Sequence, residues 1–290
     1  MSLPVTVDAV KLSPQYNHQV IVSNAGSPAD QCAPLTRQRR RLENELRALG
    51  ARDWDAPSRC GSWTVRDVVA HLAGVNVFWH ASLMAGLADA PTRLLGGFDP
   101  AVTPSQMVDS LGAIAAADVL EMFVSSNDSL LGAVGDLDDR QWMALAESPA
   151  GHVSIRLVAQ HALWDAWVHE RDILLPLGIT PPIEVDEIRS CLHYAAALSP
   201  ALALGLGQSA RGQFVVQATD PDVSFVLEVA DSVLVRDGAA DGDAPCLRGD
   251  AVQLVEALSI RAPLPDAAPS EWRRLLGGLA AAFDAEGAGD

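Results

Sequence analysis

HALWDAWVHERDI, residues 161–173, is the stretch on which the reading of this chain turns. It sits inside a helical pattern from about residue 155 to 175 that stops before Pro176 and Gly178. Four residues turn a helix by about 400°, so His161, Asp165 and His169 share one face. A carboxylate and an imidazole at that spacing can hold one metal ion together. All three cannot. His161 and His169 lie about 12 Å apart along the axis, whereas metal–ligand bonds are ~2 Å. One pair must therefore recruit a ligand from another helix, or the Asp165/His169 pair is simply an intrahelical hydrogen bond.

Working towards the N-terminus, a helix is expected from Thr64, where Thr64 and Asp67 form a capping box. Its run VRDVVAHLAGVNVFWHASLMAG carries His71 and His80. These are nine residues apart, about half a turn in phase, so only one faces inward. His71 stands among Val68, Val69, Leu72 and Val75, on the apolar side. His71 beside Asp165 and His169 makes a His/Asp/His set that suits a divalent ion and leaves coordination positions open. The bland alternative for His71 is a satisfied core histidine.

A third helix is expected from Thr103-Pro104-Ser105-Gln106 through Val134, and a first one from Leu35 to Gly50. The Arg37–Arg41 cluster of that first helix reads as a solvated face. Four long helices imply a bundle. After Pro181-Pro182, a helix from about Glu184 to Leu204 leads to QFVVQAT, VSFVLEVA and SVLVRDG, which read as an antiparallel meander. Asp250 and Ser270 are expected to cap two further helices. The expected organisation is an irregular extension at 1–32, a helix bundle at 33–180, and a linker helix with an α+β domain at 181–290.

Composition narrows the function. The chain has 290 residues, 49% of them apolar, and a net charge of −17 from 20 basic and 37 acidic side chains. That acidity argues against nucleic acid and anionic membranes as partners. Cys32, Cys60, Cys191 and Cys246 are scattered, without zinc-finger or disulfide-framework spacing. No apolar run reaches the ~18 residues of a membrane span, and no secretory leader is visible. A cytoplasmic protein, monomer or homodimer, is expected.

RCGSWTVRDVVAHLAG (59–74), WDAWVHERDIL (164–174) and the capped segment at Asp250–Ser259 with Arg261 resemble, in this order, motifs of the mycothiol-dependent maleylpyruvate isomerase family of the DinB-like metalloenzyme superfamily. The similarity spans roughly residues 35–285. The resemblance implies a DinB-like four-helix bundle followed by a small α+β domain resembling sterol carrier proteins. It also implies a divalent metal, zinc by preference, and mycothiol or a similar thiol as cosubstrate. Carried over by position, the ligands are His71, Asp165 and His169, with Asp165 where the family usually has Glu. His161 is then a neighbour or substitute ligand, and Asp172 either orients an imidazole or caps the helix. Arg261 falls at the family's active-site arginine, and Ile260 replaces the preceding Gly. Trp63 matches as packing, and Trp79, Trp164 and Trp167 either line a pocket or fill the core.

The chemistry implied is a metal-bound thiolate attacking a small electrophilic substrate, giving thiol transfer or cis–trans isomerisation. The alternatives are a hydrolase using activated water and a non-catalytic binding module on the same scaffold.

Overall fold

The computed structural model describes residues 20–22, 32–97, 99, 102–111, 114–208, 211–265 and 268–283. Four long helices build the first half: α1 (Cys32–Ala48), α2 (Val65–Leu87), α4 (Ala116–Val134) and α6 (Ile155–Leu174). The expected capping box opens α2, with the Thr64 side chain accepting from Asp67 N and the Asp67 carboxylate accepting from Thr64 N. Ser154 caps α6, and Gly178, in the left-handed region at φ 75°, follows the single turn that ends it. The expected third helix is two pieces, α3 (Thr103–Leu111) and α4. Gly112, a poor helix former, lies between them outside the described residues. A one-turn α5 (Asp139–Trp142) and a hairpin, β2 (Leu145–Ser148) with β3 (Gly151–Ser154), lead into α6. The hairpin was not anticipated.

Helix α6 is the spine of the bundle. Of its twenty residues only Arg156 and Asp165 are not buried. Helices α1 and α2 pack on it, and α7 (Val185–Gly205) covers another flank. The Arg37–Arg41 cluster, expected to be a solvated face, is instead partly internal. Arg39 is fully buried and donates to Asn76 Oδ1 (2.6 Å), Asn127 Oδ1 (3.2 Å) and Ala162 O (2.7 Å), joining α1, α2, α4 and α6 through one guanidinium. Arg41 grips the buried Glu170 through two 2.8 Å bonds and reaches buried Glu187 at 2.8 Å. Breaking one partner of such a buried pair costs about 3–5 kcal/mol, so the arginines fix helix positions that apolar packing alone leaves free to slide.

The second half is a five-stranded sheet in the order β1-β6-β5-β4-β7. Strands β4 (Gly212–Thr219), β5 (Val223–Val229) and β6 (Val233–Arg236) form the expected antiparallel meander. β7 (Cys246–Asp250) runs parallel to β4. The extension expected to be irregular supplies β1 (Val20–Val22), parallel to β6 from Val20↔Val233 to Val22↔Val235. Three consecutive β-branched residues suit a strand, and the pairing covers an otherwise open sheet edge. The rest of that extension lies outside the described residues. Asp250 caps α8 (Ala251–Leu258) as expected, accepting from Gln253 N. Ser270 does not cap; it is the first residue of α9 (Ser270–Leu276), behind Pro269.

Helix α7 belongs to both halves. It packs on α6 and α1, and also on the sheet, on α8, on α9 and on α10 (Gly278–Phe283). Gly278 makes that last contact possible: a Cβ there would lie 1.9 Å from Ser199 O. Between the halves lies a cavity of about 640 Å³ with walls from α2, α6, α7, α10 and the turn after α8. One helix, α2, is long and apolar enough to cross a membrane by composition, with a mean hydropathy of 1.4. Its buried Asn76 and its packing on α4 and α6 mark it as a core helix of the bundle.

Candidate metal centre

Asp165 is one of the two α6 residues that escape burial because its carboxylate faces the cavity. One turn on, His169 Nε2 lies 3.6 Å from Asp165 Oδ1. Helix α2 delivers His71 from the opposite wall, its ring centroid 5.0 Å from that of His169. Ligand atoms of His71, Asp165 and His169 all lie within 4.8 Å of one another. A tetrahedral ion with bonds of ~2.0–2.2 Å needs donors separated by somewhat over 3 Å, so small side-chain adjustments bring these to bonding distance.

The protein alone leaves this cluster incomplete. Asp165 Oδ2 is buried with no hydrogen-bond partner among the described residues. Burial alone pushes the Asp165 carboxyl upward, but His169, His71, His161 and Arg39 around it bring it below the ordinary range, so it stands ionised. An ionised, desolvated carboxylate oxygen with no donor is costly unless a cation meets it. The donor set therefore fits a divalent ion.

Asp172 supports the centre from behind. It is fully buried and accepts His169 Nδ1–H at 3.0 Å. That bond fixes the tautomer and leaves the Nε2 lone pair on the cavity side, where a ligand imidazole needs it. Of the two expected roles for Asp172, orienting an imidazole is the one the geometry supports. Arg261 donates to both Asp172 oxygens, Nε at 3.0 and 3.1 Å and Nη2 at 2.8 Å, and the Cys60 thiol adds a 3.1 Å bond. Burial works to raise the Asp172 carboxyl, yet the His169 and Arg261 hydrogen bonds hold it well below the usual range. A second donor group, Cys60–His169–Asp172, is also compact. Its Asp172 is already saturated, whereas the His71/Asp165/His169 set holds the partnerless oxygen.

Burial lowers His71 to about 4, so it is a neutral ligand at pH 7. For His169, burial again lowers the pKa, but hydrogen bonds to Asp172 and Cys60 and the charge on Asp165 outweigh it and raise it to about 10. Without metal, His169 is therefore a cation between two carboxylates.

The remaining expected residues fall as follows. His161 does not join the donors; its Nδ1 is hydrogen-bonded to the Tyr194 hydroxyl. His80 is not part of the donor set; it lines a groove with Asp118 and Glu121 that His71 also borders. Arg261 borders the cavity, with its guanidinium committed to Asp172. Ile260 takes φ 56°, a left-handed conformation that explains why glycine suits this position and that costs a β-branched residue about 1–2 kcal/mol. Trp63 packs against His71, ring centroids 5.3 Å apart, and also lines the cavity. Trp79 and Trp164 line the cavity, while Trp167 is core, with the Arg171 guanidinium 3.3 Å above its ring. Sequence reasoning missed Cys60, Tyr194 and Arg59. The sign for Cys60 was its place in the motif that carries His71. Arg59 ties that loop to α8 through Glu256 at 2.7 Å.

A helix bundle with a His/Asp/His donor set on two facing helices, covered by an α+β unit, defines the class of this protein. Residues 35–174, just under half of the chain, match the family model described as the mycothiol maleylpyruvate isomerase N-terminal domain. The solved crystal structure of a mycothiol-dependent maleylpyruvate isomerase is similar at a TM-score of 0.59 and 11% identity, covering 82% of this chain and 90% of that one. A histidine-to-alanine mutant of that enzyme matches at 0.58 with the same identity and coverage. At this identity the two establish a shared fold. No curated protein matches significantly.

Two outcomes are expected. His71→Ala, Asp165→Ala and His169→Ala should each lower bound metal in untagged protein by elemental analysis, and His80→Ala should not; metal loss in the His80 variant alone would reverse the assignment of helix faces. Because His169 must shed its proton to bind, zinc titrated into metal-free protein at pH 7 should release about one proton, read by calorimetry in buffers of different ionisation enthalpy. Since the folded pKa is raised, affinity should climb with pH up to about 10. A pH-independent affinity would contradict the site.

Proposed function

We propose that this protein is a metal-dependent, low-molecular-weight-thiol-dependent enzyme acting on a small electrophile, by thiol transfer or cis–trans isomerisation. The observation that carries the reading is the partnerless Asp165 oxygen between two histidines, beside a cavity of about 640 Å³, large enough for two small reactants. The family-model match over residues 35–174 supports a mycothiol-type thiol, and the isomerase activity named for the similar solved structures supports the chemistry.

His71, Asp165 and His169 would hold the ion, zinc by preference for a nitrogen-rich, borderline-soft donor set. When bound, such an ion favours the thiolate over the thiol, whose ordinary pKa is near ~8.5, and fixes where the sulfur sits. The chain's own residues do the rest. Asp172 keeps His169 in its ligating tautomer, and Arg261 and Cys60 keep Asp172 ionised and in place. Trp63, Trp79 and Trp164 line the cavity and would shield a bound thiolate from part of the bulk water. We place the protein in the cytoplasm, where such thiols are reduced and where its cysteines, none of them paired, are at home.

The test is turnover of a conjugated electrophile with mycothiol and zinc each added or withheld. Both should be required, and chelation should abolish activity that zinc then restores. Full turnover without thiol would replace this reading with a hydrolase. Failure to take up stoichiometric metal would replace it with a binding module.

A further inference from the structure

Besides the donor set the cavity has an apolar side, Phe78, Trp79, Trp164, Leu198 and Leu202, with the exposed Phe283 at its rim. His161 stands among them. Its ring is boxed by Trp79, Tyr194 and Trp164, with centroids 4.3, 5.0 and 5.3 Å away. Its Nδ1 is held by the Tyr194 hydroxyl, and its Nε2 has no partner among the described residues although the side chain borders the cavity. A buried phenol stays protonated and donates, so Nδ1 is the acceptor and Nε2 carries the hydrogen. Burial keeps this imidazole neutral at pH 7.

The arginines on the wall are Arg59 and Arg261. Arg261 is paired with Asp172 at 2.8 Å and Arg59 with Glu256 at 2.7 Å. Both guanidinium charges are thus already compensated by protein carboxylates, which weakens them as receptors for the two carboxylates of a dianion.

We propose that the electrophile is an uncharged α,β-unsaturated carbonyl compound with an apolar body, its carbonyl oxygen accepting a hydrogen bond from His161 Nε2–H and its body lying on the Trp79 and Trp164 side. The assignment rests on the thiol-dependent reading above and specifies its substrate class. The thiolate sulfur bonds to the β-carbon. The C=C electron pair shifts to join the α-carbon to the carbonyl carbon, and the carbonyl pair moves onto oxygen. His161 donates to that enolate oxygen as its charge grows, which makes His161 a catalytic residue and Tyr194 the positioning residue behind it. The former double bond is now single and rotates. Return of the pair expels the thiolate and gives the other geometric isomer, while protonation of the α-carbon by solvent keeps the sulfur attached.

The experiment has a binding arm and a turnover arm. In the first, metal-free protein is titrated with benzylacetone, an unreactive saturated ketone, and the quenching of Trp79 and Trp164 fluorescence is followed. The wild type should bind, His161→Phe about tenfold more weakly, and His161→Gln, which keeps an N–H, close to wild type. In the second, zinc-loaded protein with mycothiol is given cis-benzylideneacetone or the dianion maleylpyruvate. The neutral ketone should be preferred, and His161→Phe should lower kcat on it about 100-fold at unchanged zinc content. Tyr194→Phe should fall between the two. Equal ketone binding by wild type and His161→Phe, or preference for the dianion, overturns the assignment while leaving thiol dependence intact. Ketone binding as predicted, with no thiol-dependent turnover of either compound, overturns the thiol-dependent reading and with it the proposed reaction.

Discussion

An ionised carboxylate oxygen enclosed by protein and given no hydrogen bond is an unstable arrangement unless positive charge is near, and Asp165 is in that position. Everything around it answers this one constraint. His71 and His169 converge on it from two helices, Arg39 sits fully buried behind it, and Asp172 holds His169 so that a lone pair faces the same point. In the metal-free protein the proton on His169 supplies the missing charge. On the proposed reading, a bound cation would take the place of that proton.

Precision at such a site depends on how firmly its helices are held. The bundle is not packed by apolar contacts alone. Arg39 bridges four helices and Arg41 clamps three; Arg39 and the Glu170 and Glu187 held by Arg41 are fully buried, where a lost partner is expensive. A slip of one residue along α6 would strand Glu170 and the Ala162 carbonyl as well as misplace His169. On the other side of the cavity, Arg261 reaches from the α+β half to Asp172 of the bundle, and Arg59 reaches back to Glu256. The two halves are therefore coupled at the point where the donors lie, and the partnership that locks them leaves the cavity without an unpaired guanidinium among its described residues.

Much of this was readable from local pattern. The phase of His161, Asp165 and His169 follows from helix geometry, and the choice of His71 over His80 follows from its apolar neighbours. The Thr64/Asp67 box and the Asp250 cap are short-range signals of the same kind. What could not be read depends on contacts between distant segments. The arginines of α1 look like a solvated face until Asn76, Asn127, Glu170 and Glu187 are brought to them. Val20–Val22 becomes a strand only because β6, over two hundred residues later, presents an open edge. Cys60 and Tyr194 carry no periodic signature; they matter through partners that folding supplies, Asp172 and His169 for Cys60 and His161 for Tyr194. Arg261 was placed at the cavity, but its bidentate bond to Asp172 was invisible, and that bond changes what the arginine is free to bind.

The most direct measurement is anomalous diffraction at the zinc edge from crystals of untagged protein loaded with zinc. One strong peak is expected at about 2.0–2.2 Å from a nitrogen of His71, an oxygen of Asp165 and Nε2 of His169, with Nδ1 of His169 still on Asp172. A peak centred instead on Cys60 and Asp172, or no peak between α2 and α6, would contradict that assignment.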